Sequence, residues 1–223
     1  TDEHKAEAKK AAKEFADYVH GLMLARLEKP GADLISELAR VTEDGEKLSA
    51  HELIATCVLL LNAGHEASVN GFGNGLVAAF QHPDQWNLLQ NQPDAIATTA
   101  IEEFRRFDSP LHCFDRTATA DTEIGGVAIK EGQKIVSLLG SANRDEDVFI
   151  NSDQMDLTRN PNPHIGFGAG IHFCIGAPLA RLEMQNSLPM MFERFPDLKL
   201  AGSPVQRPTF VLRGWETIPV KNG

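Results

Sequence analysis

The sequence predicts a mainly α-helical chain with small β-sheets. Three observations carry that expectation. Helix-forming stretches opened by caps or prolines fill most of residues 3–106, strand-like runs with a Gly-Gly turn take over between 114 and 138, and residues 198–222 are short apolar pieces around Arg213-Gly214. At 223 residues, 42% of them hydrophobic, the chain can bury a sizeable core without a disulfide framework.

Residues 3–28, rich in Ala, Glu and Lys, predict a long amphipathic helix stopped by Pro30-Gly31. A short helix over 32–41 is closed by the turn Glu43-Asp44-Gly45-Glu46. Ser49 and Glu52 then form a capping box that opens a helix running to about Phe80, on the order of 45 Å long. Its first half, LIATCVLLL, is apolar on every side, the pattern of a helix surrounded by protein. Its middle, Ala63-Gly64-His65-Glu66-Ala67-Ser68, turns small and polar. A glycine there costs about 1 kcal/mol against alanine, so room for a flat group or for water is the simplest return. Pro83 and Pro93 open two further helices, the second ending near Arg106 before Asp108-Ser109-Pro110. FDRTATA, EIGGVAI and QKIVSLLG read as strands, 146–166 as irregular, and 176–194 as a helix in which Pro189 kinks or loosens a turn.

Composition narrows the function. A net charge of −10 disfavours nucleic acid and anionic membranes as partners. The longest apolar run is about half of what a bilayer requires. Three widely spaced cysteines, Cys57, Cys113 and Cys174, suit a reducing compartment, and the charged N-terminal stretch has no signal-peptide core. These features predict a soluble, cytoplasmic protein.

The chemistry concentrates in GFGAGIHFCIGAP at 166–178. A dinucleotide fingerprint needs G-x-G-x-x-G directly after a buried strand, and here the spacing is G-x-G-x-G after NPNPH. Zinc needs three or four ligands, and Cys174 has only His172 close by. A thiolate metal ligand and an ordinary turn remain. A thiol just before a helix start is favoured as an anion by the exposed amides, and glycines leave a flat face clear beside it.

Phe167-Gly168-Ala169-Gly170-Ile171-His172-Phe173-Cys174-Ile175-Gly176 fills every fixed position of F-G-x-G-x-H-x-C-x-G. This resembles the haem-ligand signature of the cytochromes P450, particularly the soluble bacterial ones. Three further segments match in the family's order. Glu103-Phe104-Arg105-Arg106 resembles the E-x-x-R motif of the K helix, and Arg159 stands in the place of the third member of that buried network. Ala63 to Ser68 resembles the oxygen-activation stretch of the I helix, with Glu66 matching the acid. The usual threonine is replaced by Ala67, so either Ser68, an ordered water or a substrate hydroxyl supplies the proton relay, or coupling is poor. A zinc-helix reading of His65-Glu66 fails because residue 69 is valine. Arg116 matches the strand arginine that pairs with a haem propionate, and His172 resembles the second propionate partner.

The resemblance implies a C-terminal portion of the cytochrome P450 fold, late G helix through L helix and terminal strands, with residues 1–223 forming a single partial domain. It implies haem b (iron protoporphyrin IX) held by the Cys174 thiolate, with Phe167, Gly168 and Gly176 shaping the loop and Ala63 and Gly64 facing the haem. The implied activity is that of a monooxygenase inserting one oxygen atom from O2 into a small organic substrate, with electrons from a ferredoxin or flavodoxin. The alternative is a truncated, haem-free or non-catalytic homologue with a partner-supporting role. Because the chain corresponds to about half of a typical member, it is expected to have little activity alone. It is also expected to pair with the missing N-terminal half or to self-associate across the I-helix face.

Overall fold

A computed structural model describes residues 2–40, 42–43 and 46–223. Asp44 and Gly45, the centre of the expected turn after the second helix, lie outside the described residues. The chain divides into two compact units, Thr1–His65 and Glu66–Gly223.

The first unit opens with helix α1 (Asp2–Glu28). Its ion pairs at i,i+4, Lys13–Asp17 and Lys10–Glu14, lie on the solvent face and contribute little. Helix α2 (Leu34–Arg40) packs on α1 and begins later than the sequence suggests. The reason is Asp33, whose Oδ1 accepts the Ser36 amide (2.9 Å) and hydroxyl (3.0 Å), so that it caps the helix rather than joining it. The other oxygen of Asp33 meets Arg26 of α1. Strands β1 (Thr42–Glu43) and β2 (Glu46–Lys47) pair antiparallel. Helix α3 (Ala50–Gln81) then opens on the expected capping box, with Ser49 N–H donating to Glu52 Oε2 (2.9 Å) and Glu52 N–H to Ser49 Oγ (3.3 Å).

The second unit holds the main core. Helices α4 (Pro83–Asn91) and α5 (Pro93–Phe107) each carry their proline in the first turn, where a missing N–H leaves no bond unmade. Leu89, Ala100, Ile101 and Phe104 are sealed from water together with Ala79 of α3. Gly75 lets α3 and α5 approach closely, since a Cβ there would collide with the Phe104 side chain.

Strand β3 (Cys113–Thr117) is shorter than expected and pairs antiparallel with β6 (Lys134–Leu138). Between them, β4 (Thr122–Ile124) and β5 (Val127–Ile129) form the hairpin across Gly125-Gly126, whose φ values of +58° and +80° are those of a primed turn. Leu139 and Gly140, expected in a strand, belong to the one-turn helix α6 (Leu139–Ala142). Leu139 is buried, and the Asn143 amide closes the turn onto its carbonyl at 3.0 Å.

Helix α7 (Ala177–Arg194) packs against α5 and continues through Pro189, which has no N–H to offer the carbonyl four residues before it. The tail forms β7 (Lys199–Leu200), β8 (Val205–Gln206), β9 (Trp215–Thr217) and β10 (Val220–Lys221), pairing β8 with β9 and β7 with β10. The fold is thus mainly helical with small sheets. Among the described residues no helix is long and apolar enough to cross a membrane.

Candidate haem-thiolate site

The segment before α7 is a loop closed on its own backbone. Cys174 N–H donates to Phe167 O (3.0 Å), Phe173 N–H to Gly170 O (3.0 Å) and Ala177 N–H to Cys174 O (3.1 Å). Gly168 and Gly170 sit at φ +74° and +69°, conformations that a side chain would strain. Residues 170–172 form a single 3-10 turn rather than plain loop, placing His172 at its end. The Cys174 thiol that results is free and exposed, next to the first turn of α7. At Gly176 an added Cβ would come to 3.8 Å from its sulfur.

Phe167 is the buried anchor of this loop. Two guanidinium groups lie over its ring, Arg105 at 4.0 Å and Arg181 at 4.6 Å from the centroid. Arg181 makes two hydrogen bonds to Glu102 (2.6 and 2.9 Å), and Glu102 Oε2 also meets His164 Nε2 at 2.7 Å. Burial alone would raise the Glu102 carboxyl, but the hydrogen bonds from Arg181 and His164 outweigh it and hold the pKa at about 2. Arg105 is buried and, among the described residues, donates its side-chain hydrogen bond to Met184 Sδ (3.6 Å). Burial pushes it down to about 10, against the attraction of Glu102 and Cys174. A positively charged platform therefore lies beneath the thiol loop.

Glu103, Arg106 and Arg159 are brought together as a second network. Arg106 grips Glu103 through two 2.7 Å bonds, both side chains fully buried, and Arg159 Nε adds a third at 3.2 Å. The remaining donors of Arg106 tie down the irregular segment through the carbonyls of Asn143, Ser152 and Gln154. Sequence reasoning missed two members. Asn162 donates to Glu103 at 3.1 Å, and Asn143 donates to Ser109 Oγ and accepts the Ile165 amide, both at 2.8 Å. Arg105, Glu102, His164 and Arg181 gave no pattern, because their partners lie far apart in sequence.

Ala63 and Gly64 lie on α3 in the first unit, both exposed, and a Cβ at Gly64 would meet nothing within 4 Å. Glu66, Ala67 and Ser68 follow in the second unit, with Ala67 and Ser68 half-buried. The Glu66 carboxylate is not free: Arg207 of the tail donates to it at 2.8 Å, a pairing the sequence did not suggest. Arg116 on β3 is exposed, donating to the Asp115 carbonyl at 2.9 Å and lying 5.6 Å from the Phe114 ring centroid. His172 is exposed as well.

The donor set fits a haem. Among the described residues no group of three or more His, Cys, Asp or Glu side chains could hold a metal ion. A lone exposed thiol suits a metal that brings its other ligands with it, as iron in a porphyrin does. Among the described residues no carboxylate pairs with Arg116 or His172, which leaves both open to anionic propionates.

Comparison with known proteins agrees. A family model described as Cytochrome P450 matches residues 1–209. The polyketide biosynthesis cytochrome P450 PksS of Bacillus subtilis (strain 168) is 45% identical over 214 residues, which cover 94% of this chain and 53% of that protein. The 6-deoxyerythronolide B hydroxylase of Saccharopolyspora erythraea is 40% identical over 225 residues, covering 99% and 55%. A solved structure of P450BioI in complex with hexadec-9Z-enoic acid ligated acyl carrier protein superimposes with a TM-score of 0.94 at 39% identity, covering 100% of this chain and 57% of that one. The chain spans about half the length of the curated relatives it matches. On its motif, its fold and these matches, the chain belongs to the cytochrome P450 family.

Proposed function

We propose that the chain supplies the haem-binding part of a haem-thiolate monooxygenase, with Cys174 as the residue whose thiolate would hold the iron. The observation that carries this reading is an exposed, unpaired thiol held on a glycine loop above a cationic platform. When bound, the haem supplies O2 binding and O–O cleavage, favoured by electron density from the thiolate. In the complete enzyme the reaction would put one oxygen atom into a small organic substrate and release the other as water, taking up two electrons from a ferredoxin or flavodoxin and two protons.

The chain's own residues divide the remaining work. Phe167 O accepts the Cys174 amide, and Gly168 and Gly176 leave the loop free of side chains around the sulfur. Arg116 and His172 would hold the propionates. Glu66 and Ser68 hold protons at carboxylate and hydroxyl oxygens, since Ala67 has no hydroxyl to offer. Glu103, Arg106 and Arg159 anchor the segment leading into the loop. A small organic substrate fits the relatives, of which one is a hydroxylase and another is named for polyketide biosynthesis.

A second reading, a haem-free homologue supporting a partner, is favoured by Ala67 and by the Arg207 contact that occupies Glu66. Titration of haem into the chain separates the two. One haem per chain with a Soret band, lost in Cys174→Ser, is the result expected. No Soret band in the unaltered chain would leave the second reading.

A further inference from the structure

Among the described residues, three polar atoms are buried with no hydrogen-bond partner where α3 meets the tail: Asn70 Nδ2, Asn74 Oδ1 and Trp215 Nε1. Their residues occupy one short seam. Asn70 and Asn74 are one turn apart on α3, on the same edge as Glu66. Asn74 Nδ2 donates to Arg213 O at 3.2 Å, and a Cβ at Gly214 would collide with the Asn70 carboxamide. From Gly73, a Cβ would reach the Trp215 ring at 3.9 Å. The orientation of Asn74 is fixed, because its amide also donates to Asp108 O at 3.2 Å and its Oδ1 is left as the acceptor.

A buried orphan group costs about 1–3 kcal/mol, so three in one seam point to a ligand. The set is two N–H donors and one carbonyl acceptor. A metal ion would face two N–H groups, and an anion without a proton could not satisfy Asn74 Oδ1. Water does both: its lone pairs accept from Asn70 and Trp215, and one of its protons goes to Asn74. Three hydrogen bonds are also the usual complement of a buried water.

We propose that this seam is an internal hydration site, a water held by Asn70, Asn74 and Trp215 that fastens the β8–β9 hairpin to α3. The water keeps one O–H to donate, and Asn70 lies one helical turn, about 6 Å, beyond Glu66. The site thus puts a buried O–H donor one helical turn along α3 from the residue read above as the proton-path acid. Only this last consequence rests on that reading; the site does not.

Water-selective cross-relaxation NMR on the isotope-labelled haem-free chain tests it. Long-lived water signals are expected at both the Trp215 indole N–H and the Asn70 carboxamide. In Trp215→Phe, which keeps an aromatic ring, the Asn70 signal should fall at least twofold, and Asn70→Ala should do the same to the Trp215 signal. Absence of both signals in the unaltered chain overturns the site, as does an Asn70 signal unchanged in Trp215→Phe. A failed haem titration would remove the proton's destination and leave these signals in place, so the two failures are distinguishable.

Discussion

At Glu103, five donors converge on one buried carboxylate: two from Arg106 and one each from Arg159, Asn162 and the Asp156 amide. A pair sealed this completely is weak evidence for net stability, but losing one partner strands the other. Glu103→Ala is therefore expected to destabilise the chain by about 3–5 kcal/mol, read as a fall in the urea midpoint. Its neighbour Glu102 gives a different signature. Its folded pKa, about 2, lies below the ordinary 4.5, so its contribution to stability is fully present above about 4.5 and is lost as pH falls toward about 2. Urea midpoints measured across that window should drop in the unaltered chain, and less steeply in Glu102→Gln. Equal slopes would mean that the Arg181 and His164 contacts do not form in solution.

Among the elements, α3 carries two glycines with opposite consequences. At Gly64 a methyl group meets open space, so Gly64→Ala should stabilise the haem-free chain by up to about 1 kcal/mol through helix propensity alone. At Gly75 the same change drives a Cβ into Phe104 and should cost about 1–3 kcal/mol by forcing α3 away from α5. Thermal melts of the two variants should move in opposite directions. Much of the helical layout was legible because its punctuation is local: Pro83, Pro93 and the Ser49–Glu52 box mark helix starts through bonds within a few residues. The misses have the same cause inverted. The start of α2 depended on which hydroxyl and amide Asp33 would choose, and α6 on the burial of Leu139, neither of which is a pattern in the chain. In the site, the residues of one contiguous motif could be read directly. The Glu66–Arg207 and Glu102–Arg181 pairs join residues 141 and 79 positions apart, and only the folded chain reveals them.

For the molecule as a whole, a chain about half the length of its relatives exposes apolar side chains around the thiol. Ile171 and Ile175 are 97% and 90% exposed, and Leu179 and Leu182 of α7 follow at helical spacing. A patch of this kind drives association. Size-exclusion chromatography should show species larger than a monomer, shifting toward monomer in the double variant Leu179→Glu, Leu182→Glu. A clean monomer of the unaltered chain would show that this surface does not associate by itself. The central claim is thiolate ligation at Cys174, and the absorption spectrum of the haem-reconstituted chain after reduction and addition of CO tests it most directly. The expected result is the red-shifted Soret band of a thiolate-ligated CO complex, absent in Cys174→Ser. A band at the shorter wavelength of a histidine- or thiol-ligated haem, unchanged by that substitution, would contradict it.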